Sequence, residues 1–297
     1  MKIEKVKLSS SGVNYKKSSP YLGKVLVNES LTEEGTDDDV RHIVVDIADS
    51  GIEYLEGQSL GVIPPGMRDN GKPHAPRLYS IASEKEGDTD YLGTVTFSVK
   101  RTIFTDPDTG GIFKGLCSNF LCDCVSGDEV PITGPIGNAF LLPEDDNLHL
   151  YLIATGTGVA PFRSFLDHIK RKKKKWAGGI DLYFGVKTQK EALYLNSRNN
   201  DLNEMLIDGC RVIKALSREE KTLDGQKMYV QNRMLEDYDS IKQQLDNGKA
   251  CFYLCGLKGM EKGIEAIIFQ YAEEKGLDPV AFKKQLRSEG KWNVEVY

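Results

Sequence analysis

The sequence has 297 residues, of which 40% are hydrophobic and 28% charged, a composition typical of a globular protein long enough for two domains. No stretch reaches the apolar length of a membrane-spanning helix, and residues 1–20 lack the apolar core of a secretory signal, so neither membrane insertion nor secretion is expected. The net charge of −5 hides an asymmetry, because residues 1–146 carry −10 and residues 147–297 carry +5. This asymmetry favours the second half as the host of a phosphorylated ligand.

Residues 1–146 contain six short runs in which apolar and polar residues alternate between Gly, Pro and Asp turns. The runs lie at 23–27, 40–46, 59–63, 77–82, 94–100 and 129–133. Short strands with one helical interruption, near 115–122, predict a six-stranded antiparallel β-barrel. An acidic group after the first strand predicts a solvated hairpin tip; it comprises Glu33, Glu34, Asp37, Asp38 and Asp39.

The six cysteines, in a sequence without an export signal, predict free thiols in a reducing compartment. Cys117, Cys122 and Cys124 lie close together, but their spacing matches no zinc or iron–sulfur motif and the four histidines are scattered. We therefore expect buried thiols at these positions and no metal site.

From residue 147 onward, strands alternate with longer helical segments. Strands are predicted at 149–154, 179–185, 210–217, 250–255 and 292–296, and helices at 161–172, 200–207, 230–247 and 259–275. This alternation predicts an α/β domain with a doubly wound, five-stranded parallel sheet, which binds ligands at the carboxyl ends of its strands. The loop at 143–147 marks the boundary between a domain of residues 1–146 and a domain of residues 147–297. The basic run KRKKKK at 170–175 is interpreted as a solvated helix end, with attachment to nucleic acid or a membrane as the minor alternative.

The segment 148–165 joins a buried strand, a glycine turn and a helix start. Gly156 and Gly158 allow backbone N–H groups to approach a ligand, and Pro161 suits the first turn of a helix whose N-terminus attracts anions. The turn reads GTGVAP and departs from the NAD-type fingerprint, because proline replaces the third glycine and no acidic residue closes the next strand at 185–187. A nucleotide phosphate fits this turn, whereas a bare ribose 2′-hydroxyl lacks its usual acidic partner.

A series of motifs occurs in one order along the chain. It comprises RLYS at 77–80, KGLCSNFLCD at 114–123, GDEVPITGPIG at 127–137, ATGTGVAPFRSFL at 154–166, LSRE at 216–219, KMYVQNRM at 227–234, CGLKGMEKGI at 255–264 and WNVEVY at 292–297. From about Leu22 to the last residue, this series resembles the plant-type ferredoxin–NADP(+) reductases of the plastidic class. The resemblance implies that the barrel is an FAD-binding domain and that the α/β domain is a Rossmann-like NADP-binding domain.

The first of these motifs bears on flavin binding. Arg77 can neutralise a pyrophosphate, and Tyr79, on the same face of the strand, can lie flat on a flavin ring, although an ordinary half-buried strand tyrosine is the alternative. The resemblance implies that the Ser80 hydroxyl lies near flavin N5 and that Ser118, with the helix start around it, meets the FAD pyrophosphate. Phe104 falls where the family commonly has a tyrosine stacked on the FAD adenine, and the loop after it is one residue longer than the family's usual loop. The implied FAD residues are Arg77, Leu78, Tyr79, Ser80, Lys100, Phe104, Gly115, Leu116, Cys117, Ser118, Thr157 and Tyr297.

Four residues bear on recognition of the NADP 2′-phosphate. Ser217 and Arg218 follow the third strand of the sheet, and Lys227 and Tyr229 follow a polar loop, so that together they offer a hydroxyl, two cations and a stackable ring. Singly each is typical of a protein surface, but the resemblance implies that they form the 2′-phosphate and adenine site. The implied NADP residues are Lys100, Thr157, Gly158, Val186, Ser217, Arg218, Lys227, Tyr229, Gln231, Gly256, Leu257 and Glu261.

Hydride transfer requires nicotinamide C4 to stack on flavin N5 in a dry crevice. The resemblance places Ser80, Cys255, Glu295 and Tyr297 around that point as the catalytic residues, with the Tyr297 ring on the flavin face that nicotinamide needs. From the residues alone, Cys255 is a buried strand thiol, Glu295 an exposed carboxylate and Tyr297 a frayed end.

The predicted function is an FAD-dependent oxidoreductase that exchanges a hydride with NADP(H) and single electrons with ferredoxin or flavodoxin. The alternatives are a reductase of the same superfamily with another acceptor, such as a quinone or a haem protein, and a regulatory nucleotide-binding module without turnover. We expect a monomer or weak dimer that binds no nucleic acid, in a bacterial cytoplasm or, alternatively, in the plastid stroma after removal of a transit peptide.

Overall fold

A computed structural model describes residues 2–8 and 12–297 of the chain. Its first half contains ten strands: β1 (Tyr21–Ser30), β2 (Val40–Asp46), β3 (Ser59–Val62), β4 (Arg77–Ser80), β5 (Gly87–Asp88), β6 (Tyr91–Leu92), β7 (Thr94–Lys100), β8 (Ile103–Thr105), β9 (Ile112–Lys114) and β10 (Glu129–Ile136). Six of them form one antiparallel sheet in the order β4-β3-β10-β1-β2-β7. A bridge between Ile81 and Phe97 joins the two edge strands, so the sheet closes into the expected barrel.

The barrel interior is filled by the inward side chains of these strands. Val25, Ile43, Leu60 and Phe97 are fully buried there, as alternation along half-buried strands requires. Two ribbons, β5–β6 and β8–β9, were not predicted, because strands of two or three residues are too short to show a period.

Helix α1 (Leu116–Asp123) packs one face into the barrel core. Cys117 and Cys122 lie on that face, and Cys124 follows the helix; all three are buried free thiols. The prediction that they are core residues is therefore confirmed.

The second half of the chain forms a five-stranded parallel sheet in the order β13-β12-β11-β14-β15. The strands are β11 (His149–Thr155), β12 (Ile180–Val186), β13 (Cys210–Leu216), β14 (Ala250–Gly256) and β15 (Trp292–Val296). The helices are α2 (Ala160–His168), α3 (Asp201–Met205), α4 (Val230–Glu236), α5 (Tyr238–Asp246), α6 (Lys258–Glu274) and α7 (Pro279–Ser288). Separate apolar clusters cover the two faces of the sheet, which confirms the doubly wound arrangement.

One helical prediction was wrong in detail, and one helix was not predicted. The single helix expected at 230–247 is divided at Asp237, whose carboxylate accepts hydrogen bonds from Tyr183 (2.6 Å) and Arg211 (3.2 Å) and so holds the turn between α4 and α5. Helix α7 was missed, although Asp278 caps it by accepting a 2.6 Å hydrogen bond from the Ala281 N–H and a proline opens its first turn. That capping pattern is readable in the sequence.

The basic run after α2 is less solvated than expected. The chain passes there into one π-helical turn, Ile169–Lys173. The Lys172 ammonium pairs with Glu86 of the barrel half, and the Lys173 ammonium lies 4.6 Å from the centre of the Trp176 ring. Contacts with protein groups, rather than solvation alone, therefore account for part of the run.

The two halves pack against each other through a mixed interface. Leu31 and Phe140 of the first half belong to the same apolar cluster as the helices beside the parallel sheet. Arg163 of α2, almost fully buried, donates hydrogen bonds to Asp88 (2.8 Å) and Asp201 (2.7 Å). The strand pattern changes between β10 and β11, and we propose residue 146 as the domain boundary. None of the helices described is both long and apolar enough to cross a membrane.

Candidate active site

Two cavities open at the junction of the halves, beside the carboxyl ends of the parallel strands. The barrel-side cavity, of about 630 Å³, is lined by Ser59, Arg77, Leu78, Tyr79, Ser80, Ser98, Lys100, Gly115, Leu116, Cys117, Ser118, Ile136, Gly137, Thr157, Ala160, Glu295, Val296 and Tyr297. The sheet-side cavity, of about 450 Å³, is lined by Thr32, Asp38, Val40, Lys100, Thr155, Gly156, Thr157, Gly185, Val186, Lys187, Glu191, Leu193, Ala215, Ser217, Tyr229, Val230, Gln231, Leu257, Gly259, Met260 and Tyr297. Lys100, Thr157 and Tyr297 line both.

The barrel-side cavity collects all the predicted FAD residues except Phe104. Arg77 and Leu78 are exposed on strand β4, while the Tyr79 ring lies 6.0 Å from that of Phe97. Burial is the main cause that raises the pKa of the Tyr79 hydroxyl, and the nearby Cys117 thiol adds to it. Tyr79 is thus a neutral, partly covered ring facing an open cleft.

The start of α1 gives this cavity an anion-binding end. No side chain caps the helix at Gly115, so its first N–H groups remain available to a ligand. A Cβ atom on Gly115 would lie 2.7 Å from the Ser118 hydroxyl oxygen and 3.0 Å from the Thr102 Cβ, so a side chain here would force Ser118 to move. A cation at Arg77 and a free helix N-terminus on one cavity suit a dinucleotide pyrophosphate.

Phe104 lies outside the cavity, on the β8–β9 ribbon that leads into α1. It pairs across the ribbon with Phe113, so both rings lie on one face. Phe104 is 56% exposed and Phe113 58%, and Ile103 and Ile112 are exposed as well. An uncovered apolar ribbon of this kind suits a flat aromatic ring such as adenine. Sequence reasoning missed Phe113 because the ribbon was not predicted.

Three of the four predicted catalytic residues, Ser80, Glu295 and Tyr297, line the barrel-side cavity, and the fourth, Cys255, is buried beside them. Cys255 and Glu295 are register partners on β14 and β15, and the Ser80 side chain lies near the Cys255 thiol. Burial, followed by the nearby Glu295, raises the pKa of Cys255, which keeps the thiol neutral. Burial also raises the pKa of Glu295 to about 7, so its carboxyl group is half protonated near neutral pH.

Tyr297 lines both cavities. Its hydroxyl group and the Thr157 hydroxyl group are 2.6 Å apart, and its backbone N–H donates a 2.9 Å hydrogen bond to the Gly256 carbonyl. The side chain remains 59% exposed. The last residue is therefore held by defined contacts, and its ring borders the space of both cavities.

The glycine turn after β11 serves backbone packing as well as ligand access. A Cβ atom on Gly158 would lie 2.1 Å from the Cys255 carbonyl oxygen, so no other residue fits there. The Thr155 hydroxyl accepts a 2.8 Å hydrogen bond from the Leu257 N–H. These contacts hold the ends of β11 and β14 together beneath both cavities.

Seven of the twelve predicted NADP residues line the sheet-side cavity: Lys100, Thr157, Val186, Ser217, Tyr229, Gln231 and Leu257. Gly158 and Gly256 lie in the turns beneath it. Arg218 and Lys227 are exposed beside it. Glu261 lies in the first turn of α6, where its carboxylate pairs with Lys283 at 3.2 Å.

The acidic loop after β1 is not the solvated tip that its composition predicts. Asp37 pairs with Arg218 at 2.9 Å, and Asp38 pairs with both Lys100 and Lys187 at 2.7 Å. Cations from distant parts of the chain lie at the sheet-side cavity, and the acidic side chains of the loop pair with them there. Lys187, which directly follows β12, is a candidate ligand that sequence reasoning did not select.

Proteins of known family are similar to nearly the whole chain. The oxidoreductase NAD-binding domain family matches residues 152–266. The chain is similar to the ferredoxin–NADP reductase of Spirulina sp., with 41% identity over 95% of this chain and 97% of that protein. It is 43% identical to the chloroplastic leaf isozyme 1 of the Arabidopsis thaliana enzyme, over 95% of this chain and 79% of that protein.

The fold is also that of a solved relative. The ferredoxin–NADP(+) reductase of Plasmodium falciparum superposes with a TM-score of 0.74 at 25% identity, covering 97% of this chain and all of that one. A second structure of that enzyme, with 2′-phospho-AMP, gives a TM-score of 0.72 at 24% identity over the same shares. From the extent of the sequence identity and the shared fold we conclude that the chain belongs to the ferredoxin–NADP reductase family.

Proposed function

We propose that this protein is an FAD-containing reductase that exchanges a hydride with NADP(H) and single electrons with ferredoxin or flavodoxin. The observation that carries the proposal is the position of Tyr297 between two cavities, one lined by the predicted flavin residues and the other by most of the predicted nucleotide residues. Neither cavity alone would bring a nicotinamide ring to a flavin.

The barrel-side cavity has the residues to hold FAD. Arg77 and the start of α1 supply positive charge for the pyrophosphate, Tyr79 supplies a ring for one flavin face, and the β8–β9 ribbon supplies Phe104 and Phe113 for the adenine. The flavin, when bound, supplies the conversion between two-electron and one-electron transfer. The chain supplies position and the exclusion of water.

The chain's own contribution near the flavin is control of protons and charge. Ser80 lines the cleft, and the neutral Cys255 thiol is buried beside it, so neither adds charge. Glu295 is half-buried, and this burial raises its pKa to about 7, so the carboxyl group among the four catalytic candidates is mostly uncharged below that pH.

Nucleotide recognition falls to the sheet-side cavity. Ser217 and Tyr229 line it, and the Arg218 guanidinium lies at its margin. We propose that these three, with Lys227, bind the 2′-phosphate and adenine of NADP(H). A charged hydrogen bond contributes about 1.5–3 kcal/mol, enough to distinguish NADP(H) from NAD(H). We further propose that flavodoxin can replace ferredoxin, that the protein is a monomer or weak dimer, and that it works in a cytoplasm or plastid stroma.

The experiment is anaerobic mixing of the purified protein with NADPH and then with ferredoxin, followed by absorbance of the flavin and of the iron–sulfur cluster. We expect a yellow protein whose bound flavin is FAD by mass, bleaching on NADPH addition and reoxidation by ferredoxin. FMN or no flavin would contradict the cofactor. A flavin that stays oxidised with NADPH would favour the regulatory module, and reoxidation by a quinone but not by ferredoxin or flavodoxin would favour the other acceptor.

A further inference from the structure

Carboxylates of the acidic loop already form ion pairs with the cations that a nucleotide phosphate would bind. Arg218 donates to Asp37 at 2.9 Å, although 181 positions separate them in the sequence. Lys100 and Lys187 both donate to one oxygen of Asp38 at 2.7 Å. Two consecutive carboxylates of the barrel half thus pair with three cations at the sheet-side cavity.

These contacts belong to an ordered loop rather than to chance encounters of long side chains. The carboxylate of Glu33 accepts a 2.8 Å hydrogen bond from the Ser197 N–H. The backbone N–H of Glu33 donates a 3.3 Å hydrogen bond to the Lys190 carbonyl. The Thr36 hydroxyl closes the loop by donating to the Glu33 carbonyl at 2.9 Å. The backbone is therefore anchored on the α/β domain independently of Asp37 and Asp38.

The two carboxylates differ in exposure. Burial alone would raise the pKa of Asp38, but hydrogen bonds from Lys100 and Lys187 hold it below its ordinary range. The pKa of Asp37 is lowered by its hydrogen bond and charge interaction with Arg218, and its side chain is 70% exposed. Both groups are therefore anionic at neutral pH, and Asp37 can turn into solvent without loss of packing.

We propose that Asp37 and Asp38 are specificity-determining residues, an internal counter-anion that an incoming nucleotide must displace from Arg218, Lys100 and Lys187. This inference rests on the proposed function, because it takes these cations as phosphate ligands. A phosphate monoester carries about −1.5 to −2 charges at pH 7, against −1 for a carboxylate. A 2′-phosphate therefore competes for Arg218 better than Asp37 does.

The counter-anion lowers the binding affinity of different nucleotides by different amounts. A ligand without the 2′-phosphate gains nothing from Arg218 and leaves the Asp37 pair intact, while a ligand with it must break that pair. Asp37 thus lowers the affinity for NADP(H) without lowering that for NAD(H). It also keeps mobile anions off Arg218 in the empty site, which makes nucleotide binding less sensitive to added salt.

The test uses the FAD-loaded full chain and calorimetric titration with 2′-phospho-AMP and with 5′-AMP. We expect Asp37→Asn to bind 2′-phospho-AMP about three times more tightly, with a steeper decrease of affinity as sodium chloride rises, and to bind 5′-AMP as the wild type does. Asp37→Asn combined with Asp38→Asn should tighten NADP(+) binding further, to about tenfold overall.

The matched control is Glu34→Gln, which removes the same charge from the same loop. Among the residues that the structure describes, the Glu34 carboxylate forms no ion pair, so we expect no change in either titration. An Asp37→Asn variant that binds 2′-phospho-AMP no better than Glu34→Gln, or more weakly than the wild type, would overturn the counter-anion while leaving the proposed function intact. A wild-type protein that binds neither NADP(+) nor 2′-phospho-AMP would overturn both.

Discussion

Tyr297 shows how one side chain can set a preference between two nucleotides. Its ring borders both cavities, and its hydroxyl group is 2.6 Å from that of Thr157. If the ring stacks on the flavin, nicotinamide must displace it, and the stack opposes every nucleotide by about 0.5–1.5 kcal/mol. A nucleotide anchored by its 2′-phosphate can supply that energy from a remote contact, whereas NADH cannot.

We therefore predict that Tyr297→Ser retains FAD, binds NADP(+) more tightly and gains NADH activity by about tenfold or more. Steady-state kinetics with both nucleotides measure the change. Tyr297→Phe is the matched control, because it keeps the ring and removes only the hydroxyl contact with Thr157, and it should keep the wild-type preference. An unchanged ratio of NADPH to NADH activity in Tyr297→Ser would mean that the ring is not on the flavin.

Glu295 predicts a pH dependence of the chemical step. Because burial raises its pKa to about 7, the carboxyl group is neutral below that pH and anionic above it. An anion in the cleft opposes the negative charge that a hydride brings. We expect the rate of flavin reduction by NADPH, measured by anaerobic stopped flow, to fall as the pH rises through about 7. Glu295→Gln should remove this break, and a variant that keeps it would show that another group titrates.

At the scale of elements, α2 is joined to the barrel by a buried charge cluster. His168, near the end of α2, lies with Nδ1 at 3.2 Å from both Glu56 and Glu84. Burial alone would lower the pKa of His168, but its hydrogen bonds to the two carboxylates raise it to about 9. Glu84 also faces Lys172. The imidazolium therefore contributes to the attachment of the two halves.

The sign of the resulting pH dependence follows from the folded pKa of about 9 and an unfolded value of about 6.5. The stabilisation is fully present below about pH 6.5 and is lost as the pH rises through 9, with a limit of about 3 kcal/mol. We predict that the unfolding free energies of the wild type and His168→Gln, measured in urea, differ most at pH 6.5 and least at pH 9.5. His74→Gln, outside the cluster, should show no such trend. A difference that is constant with pH would rule out a charged His168.

At the scale of the whole molecule, the barrel half has a net charge of −10, so an acidic carrier must approach it through a local basic surface. The loop before β4 provides one, because Arg68 and Lys72 are exposed there and Lys17 donates to the Pro73 carbonyl at 2.8 Å. These cations lie next to the strand that carries Arg77 into the barrel-side cavity. A local basic patch can outweigh an opposing net charge at short range, because salt screens distant charges.

We predict that turnover with ferredoxin falls as salt rises and that Lys72→Glu raises the KM for ferredoxin. Turnover with an uncharged quinone is the control, and neither salt nor the variant should alter it. A KM for ferredoxin that does not respond to salt would exclude electrostatic docking at any part of the surface.

The sequence by itself determined the elements with a clear local period and the motifs within them. The six barrel strands and the five parallel strands follow from alternation and from buried runs, because burial of a face imposes that period. The ligand-binding roles of the segment 77–80 and the turn at 156–158 could be predicted from the sequence, because they depend on a cation, a ring and glycines that lie within a few residues of one another. The eleven predicted FAD residues that line one cavity followed from this local reading together with the family resemblance.

Only the tertiary structure decided which charges meet. The acidic loop has a composition typical of a solvated tip, yet Asp38 lies against Lys187, 149 positions away. Nothing in the sequence around His168 indicates the two carboxylates that lie beside it in the fold. The division of the helix at Asp237 likewise depends on Tyr183 and Arg211 from neighbouring strands. Charge pairs have no sequence period, because their partners are chosen by the path of the whole chain. The two cavities that Tyr297 lines exist only once both domains are packed together.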